Sequence, residues 1–256
     1  MLTRPLLILE TKDGETRLVL ADSDTSTHVG TLSSDVHLPS TSLYELLNFI
    51  ATELPHWRDR SERRTETAET ILTSQLCAHL NSAARHSDGW DMLQFRCEEP
   101  DEQNKDRKID LIPAPCDTTI CIEGRRYTDF DPLLPIECKR LPTPTGTKRD
   151  EREYVFNRYA STGGIQRFKE GSHGAAHVLG AMIGYVQEET SILWDSRVKR
   201  WIQDLVASRQ PGWTTKDFLK RVSEMKAERL SVFHSVHTRE KSLSDIELRH
   251  LWLEMN

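Results

Sequence analysis

The chain has 256 residues, of which 37% are hydrophobic and 29% charged, with a formal net charge of −6. This length buries a sizeable core in one or two domains, and no apolar run approaches the roughly 18 residues that a membrane-spanning helix needs. The charge balance excludes a globally basic nucleic-acid binder, although a partner responds to the local field and a basic groove remains open. Glu10 interrupts the apolar start and no small-residue cleavage site follows, so no secretory leader is expected. Five cysteines, Cys77, Cys97, Cys116, Cys121 and Cys138, are scattered without a Cys-x-x-Cys pair, which argues against a zinc ribbon and against disulfide scaffolding. A reducing, cytoplasmic setting is therefore expected.

In chain order, Leu6 to Leu9 and Thr16 to Leu20 flank Lys12-Asp13-Gly14-Glu15 and predict a hairpin. Residues 23–42, crowded with Ser and Thr, read as loop. Ser40-Thr41-Ser42 can cap a helix carrying Leu43, Leu46, Leu47 and Ile50, with Pro55 expected to end it. After the charged stretch from Arg58 to Arg64, Ile71, Leu72, Leu76 and Leu80 recur at helical spacing, and the helix should stop near Asp88-Gly89.

Met92 to Cys97 predicts a strand, Glu98 to Lys108 a charged loop, and Ile109 to Ile112 a short strand cut off by Pro113 and Pro115. Thr118 to Glu123 and Leu133 to Leu141 read as further strands, Glu151 to Tyr159 and Ile165 to Lys169 as helices. Ala175 to Val186 is apolar enough for a buried helix or a helix–strand piece. Trp194, Val198, Trp201, Ile202, Leu205 and Val206 share one helical face, which marks the two tryptophans as core or interface. Phe218, Leu219 and Val222 suggest a second helix, and Ser231 to Thr238 and Ile246 to Met255 two closing strands. The expected organisation is a small α+β segment over 1–60, a core over 61–190, and C-terminal helices and strands over 191–256.

The chemistry-bearing stretch is Lys108-Ile109-Asp110-Leu111, followed by Ile136-Glu137-Cys138-Lys139. An acid sits on one short strand, and after an intervening strand a Glu-x-Lys sits on another. Side chains alternate along a strand, so Glu137 and Lys139 project to the same face. Two carboxylates, Asp110 and Glu137, can hold a hard divalent cation, and the lysine can orient a water or offset charge on a phosphate. The bland alternative makes Glu137 and Lys139 a solvated ion pair and Asp110 a turn acceptor. An acid between Ile109 and Leu111 is costly without a partner.

These residues resemble the PD-(D/E)xK nuclease superfamily over about residues 61–190, with Ile109 standing where a proline often precedes the motif acid. The resemblance implies an α/β, restriction-endonuclease-like core, a mixed central sheet flanked by helices. It also implies dependence on Mg2+ or Mn2+, with Asp110 and Glu137 as metal ligands and Lys139 assisting the attacking water. Glu69, with Glu66 as competitor, fits the helix acid that family members often add as a further metal ligand. Gln166 fits the glutamine that several branches carry after the Glu-x-Lys strand, where it would orient the water. The function implied is a phosphodiester-cleaving nuclease acting on nucleic acid, with DNA favoured over RNA. Partner dependence, through another protein or a homo-oligomer, would suit an effector subunit of a multi-subunit prokaryotic defence system. The alternative from another class is an inactive assembly or nucleic-acid-binding subunit that keeps the fold.

Two further groups are notable. Arg140, Lys148, Arg149, Arg152, Arg158, Arg167 and Lys169 crowd the region after the motif strand, either facing phosphate or solubilising the chain beside Asp150, Glu151 and Glu153. Ser235, His237 and Arg239 share a strand face, and His250 lies on the last strand. Without a Gly-x-Ser-x-Gly elbow they read as a polar edge or a partner contact, not a hydrolase.

Overall fold

The computed structural model describes residues 6–12, 15–21, 42–102, 105–122, 124–147, 149–239 and 243–256. The expected turn at Asp13-Gly14, the Ser/Thr-rich loop and its helix caps Ser40 and Thr41, and Lys148 lie outside the described residues. The protein is α/β. A seven-stranded mixed sheet runs in the order β3 (Leu93–Pro100), β4 (Lys108–Pro115), β7 (Ile136–Leu141), β8 (Leu179–Val186), β11 (Ile246–Glu254), β10 (Leu230–His237), β9 (Lys220–Met225). The central β7, β8 and β11 are parallel, and the outer pairings are antiparallel. A second, four-stranded sheet pairs the hairpin β1 (Leu6–Lys12) and β2 (Glu15–Ala21) with β5 (Thr119–Ile122) and β6 (Arg125–Tyr127). The three-residue β6 carried no signal in the sequence.

Helices cover both faces of the large sheet, and side-chain alternation divides the buried apolar strand residues between two layers. Ile136, Cys138, Ala181, Ile183, Tyr185, Leu251 and Leu253 pack with α1 (Ser42–Arg58) and α2 (Glu69–Arg85). Leu141, Met182, Val186, Leu248 and Trp252 pack with α3 (Gly164–Lys169) and α4 (Ser191–Ala207). Glu137 and Lys139 share the parity of Leu141 and therefore face the α3–α4 side. Every residue of β8 is buried. Burial on both faces gives a continuous apolar run, which is why Ala175 to Val186 could not be divided by periodicity, and it resolves to a strand from Leu179.

Several boundaries differ from expectation, each for a visible reason. The first helix passes through Pro55 to Arg58, and its last turn is anchored by Trp57, which is buried in the core. β4 runs on through Pro113 and Pro115 to pair with β3. Pro113 turns its carbonyl away from β3, accepting the Leu133 N–H at 2.9 Å, and on that side β4 bridges β7 only at Leu111 and Ile136. The prolines' missing N–H groups thus fall where no ladder exists. The charged loop is shorter than expected because β3 extends to Pro100, and β7 starts at Ile136, not Leu133.

Residues 151–159 form turns, not a helix. The carbonyls of Glu153, Tyr154 and Val155 accept the first N–H groups of α3, from Gly164, Ile165 and Gln166, so they are unavailable to a helix of their own. The second C-terminal helix is replaced by a 3-10 turn at Thr215–Asp217 and by β9. β11, expected as a closing strand, lies inside the sheet between β8 and β10. Among the described residues no helix is long and apolar enough to cross a membrane.

Candidate active site

The site forms where β4 and β7 part. The two strands share a single bridge, Leu111 with Ile136, so the later N–H groups along this edge of β7 have no strand partner. Side-chain carboxylates take them. Asp110 on β4 accepts the Cys138 N–H at 2.8 Å, and Glu69, in the first turn of α2, accepts the Arg140 N–H at 3.0 Å. An acidic residue in that first turn also suits the helix dipole.

Lys139 extends into the space between them. Its ammonium lies 2.8 Å from Glu137, 3.2 Å from Glu69 and 3.6 Å from Asp110, and it donates to the Cys138 carbonyl at 3.0 Å. Three carboxylates from three distant segments thus converge on one cation. Glu69 rather than Glu66 is the helix acid that reaches it. Exposure gives the site a direction: Glu137 is 0% and Lys139 7% exposed, whereas Asp110 keeps 19% and Glu69 26% of the side chain in solvent. The floor is Glu137 and Lys139, and the mouth is Asp110 and Glu69.

Two residues not assigned to the site by sequence hold the floor. Arg167 on α3 pairs with one Glu137 oxygen, and His173, itself 1% exposed, bonds the other at 3.0 Å. A fully buried acid needs an ion-pair partner and hydrogen bonds to its remaining lone pairs, and that need was the available signal. Nothing in the spacing pointed to the loop carrying His173.

The charges are unevenly balanced. Burial favours a protonated Glu137, but Lys139, His173 and Arg167 outweigh it and hold the carboxyl well below the usual range. Burial likewise opposes the Lys139 charge, and Glu137, Asp110 and Glu69 overcome it and raise the ammonium well above its ordinary value. Asp110 is the unbalanced member. Burial first, then the Glu137 charge, push it up to about 7 against the partial relief from Lys139.

Gln166 is not brought to this cluster. Its carbonyl accepts the Asn157 N–H at 3.0 Å and the Gly163 N–H at 3.4 Å, and its amide donates to Glu170 at 2.8 Å. The glutamine is spent on the entry to α3. That entry is tight, because a Cβ on Gly163 would stand 2.5 Å from the Phe156 Cα.

The expected basic cluster is largely paired internally. Arg149 bonds Glu153, Arg152 and Arg158 both bond Asp150, Arg167 bonds Glu137 and Lys169 bonds Asp217. The C-terminal Ser/His group forms a buried chain. Ser235 bridges His237 at 2.6 Å and His250 at 2.8 Å; His237 meets Asp217 at 2.6 Å; His250 meets Tyr154 at 2.8 Å. Ser235 is 2% exposed and its hydroxyl is shared by two imidazoles, which leaves it no approach to a substrate carbonyl.

Among the described residues no group of three or more His, Cys, Asp or Glu is closed around a point that a metal could take. Magnesium does not need such a cage: it keeps several waters and binds through one or two carboxylates and substrate phosphate. The donors here are of that kind, all oxygen, with the two acids of the mouth partly open to solvent and Asp110 short of counter-charge. Comparisons of the chain with protein-family models, with curated proteins and with solved structures each return no match.

Proposed function

We propose that this protein is a metal-dependent nuclease built on a restriction-endonuclease-like core. The observation that carries the reading is the convergence of Glu69, Asp110 and Glu137 on the Lys139 ammonium. The order of the parts along the sheet supports it as well, with the acid on β4 and the Glu-x-Lys on the adjacent β7.

Asp110 and Glu69 at the mouth, with Glu137 behind them, would hold a magnesium or manganese ion. Such an ion supplies a more acidic bound water and neutralises charge on a phosphate. Lys139 stays protonated and offers a donor to a phosphate oxygen as negative charge grows on it. Arg167 and His173 keep Glu137 ionised and fixed, so Lys139 is anchored at its inner side. The bond that forms joins a water oxygen to phosphorus, and the bond that breaks releases one side of the phosphodiester. DNA is the expected substrate.

A second reading is a subunit that keeps the fold without cutting. The saturation of Glu137 by the Lys139 and Arg167 cations and by the His173 ring favours it, because both of its oxygens are engaged. One experiment separates the two. The full chain is incubated with supercoiled plasmid and with single-stranded DNA in magnesium, manganese or EDTA, beside Asp110→Asn. Metal-dependent nicking that disappears in the variant supports the nuclease. Equal cutting by Asp110→Asn refutes the assignment, and silence under every condition favours the non-cutting subunit.

A further inference from the structure

A groove of about 520 Å³ lies between α4 and the segment that follows β7. Four arginines line it, Arg152 and Arg158 from that segment and Arg197 and Arg200 from α4. Glu151 and Asp204 share the lining, and with Asp150 and Glu189, which pair with Arg152, Arg158 and Arg197, the formal charges balance. Arg158, whose guanidinium meets Asp150 only through Nε, and Arg200 keep terminal guanidinium N–H groups turned to no carboxylate among the described residues. Residues 197, 200 and 204 recur at helical spacing and form one flank of α4, while Trp194, Val198 and Trp201 turn into the core.

Three of the four guanidinium groups are held in place. Asp150, 1% exposed, accepts from the backbone N–H and the guanidinium of both Arg152 and Arg158, so one buried carboxylate fixes the turn and aims two arginines. Arg197 stacks over Trp194 at 4.6 Å and bonds Glu189. Such pre-ordering lowers the entropy lost on binding. Beside the groove the Arg158 guanidinium lies 5.2 Å from the ring of Tyr159, which is 56% exposed. An exposed aromatic under an arginine is a surface on which a base can stack without sequence preference.

The groove is tied to the candidate active site by β7. Pro142 and Thr143, which follow β7, line the groove, and Glu69 at the mouth of the site accepts the Arg140 N–H only two residues before Pro142. At about 3.3 Å per residue, the three steps from Lys139 to Pro142 span roughly 10 Å.

We propose that this groove binds the phosphodiester backbone of a nucleic-acid strand and leads it to the carboxylate–lysine cluster. The open terminal N–H groups of Arg158 and Arg200 match phosphate oxygens, while the forks of Arg152 and Arg197 are held by Asp150 and Glu189. With Trp194 and Trp201 buried, the contacts position the strand and do not read its bases. The delivery of the strand for cutting rests on the nuclease reading; the binding itself does not.

The test measures binding in EDTA, where cleavage is silent. Fluorescence anisotropy with a labelled single-stranded oligonucleotide and with its duplex compares the wild-type chain with Arg158→Ala/Arg200→Ala. A control, Arg85→Ala/Lys226→Ala, removes two exposed cations outside the groove. Loss of two phosphate contacts should weaken binding roughly 10- to 100-fold near 0.1 M salt and flatten the salt dependence by about 1.4 (single strand) or 1.8 (duplex) in log–log slope. The control should bind as wild type, and the two probes show which form of the strand the groove takes. Wild-type affinity and slope in the groove variant, or no binding by the wild type, overturn the proposal. Plasmid cutting that survives while the groove variant still binds normally refutes the groove and leaves the nuclease standing. Groove-dependent binding without any cutting supports the groove and refutes the nuclease.

Discussion

The Asp110 carboxylate accepts the Cys138 N–H at 2.8 Å, across the gap where β4 leaves β7. The same carboxyl is raised to about 7 by burial and by the Glu137 charge, so without a metal the folded chain holds this proton more tightly than the unfolded chain does. The stability it contributes is complete below about pH 4 and is lost as pH rises through about 7. Asp110→Asn keeps an acceptor for Cys138 and removes that loss. In EDTA the variant should exceed the wild type by roughly 2–4 kcal/mol above pH 7, with the gap closing toward pH 4. Urea unfolding across that range checks it; a difference that does not vary with pH would refute the assigned imbalance.

Glu137 and Glu69 are both predicted ligands, yet their substitution should differ in cost. Glu137 is fully buried against Lys139, Arg167 and His173. Glu137→Gln leaves the Lys139 and Arg167 cations without their shared partner and should lower stability by about 3–5 kcal/mol. Glu69 is partly exposed and its bond to the Arg140 N–H survives as an amide acceptor, so Glu69→Gln should cost about 1 kcal/mol or less. Both should lose metal-dependent cutting. Equal stability losses in denaturant titrations would contradict the floor-and-mouth arrangement.

The strand-borne part of this site was legible because period two on β7 and an acid between apolar neighbours on β4 are local signals. Glu69 was legible only as one of two helix acids, since helix position alone does not say which carboxylate meets an unpaired N–H group. His173 was not legible, because it enters from a loop whose course depends on the packing of α3. The same limit applies to the fold. The apolar stripes of α2 and α4 announced themselves, whereas residues 151–159 have helical composition but surrender their carbonyls to α3. Phe218, Leu219 and Val222 suggested a helix where a turn and edge strand lie, and no pattern in three residues could separate the two.

Gln166 provides a direct contrast between a catalytic and a structural role. Its carbonyl satisfies the Asn157 and Gly163 N–H groups, and its amide bonds Glu170. Gln166→Ala leaves buried donors unpaired and should cost about 1–3 kcal/mol. At temperatures where the variant is fully folded, kcat should remain within about twofold of wild type, a barrier change under 1 kcal/mol. A large fall in kcat with an unchanged melting temperature would restore the water-orienting role.

The chain from Tyr154 through His250, Ser235 and His237 to Asp217 contributes to the acid limit of the fold. Burial, then His237 and its neighbours, hold His250 well below its ordinary value, and burial also lowers His237 despite Asp217. The folded state therefore binds fewer protons than the unfolded state, so the stability these rings contribute is full above about pH 6.5 and declines as pH falls through their folded values. Ser235→Ala removes the hydroxyl that both rings share and should cost about 1–3 kcal/mol at pH 8, where both are neutral. DNA cutting by the folded variant should persist, since nothing in this chain touches the carboxylate–lysine cluster except through α3. A serine hydrolase would behave in the opposite way, losing ester turnover while keeping its stability, and pH-resolved unfolding combined with an ester assay distinguishes the two.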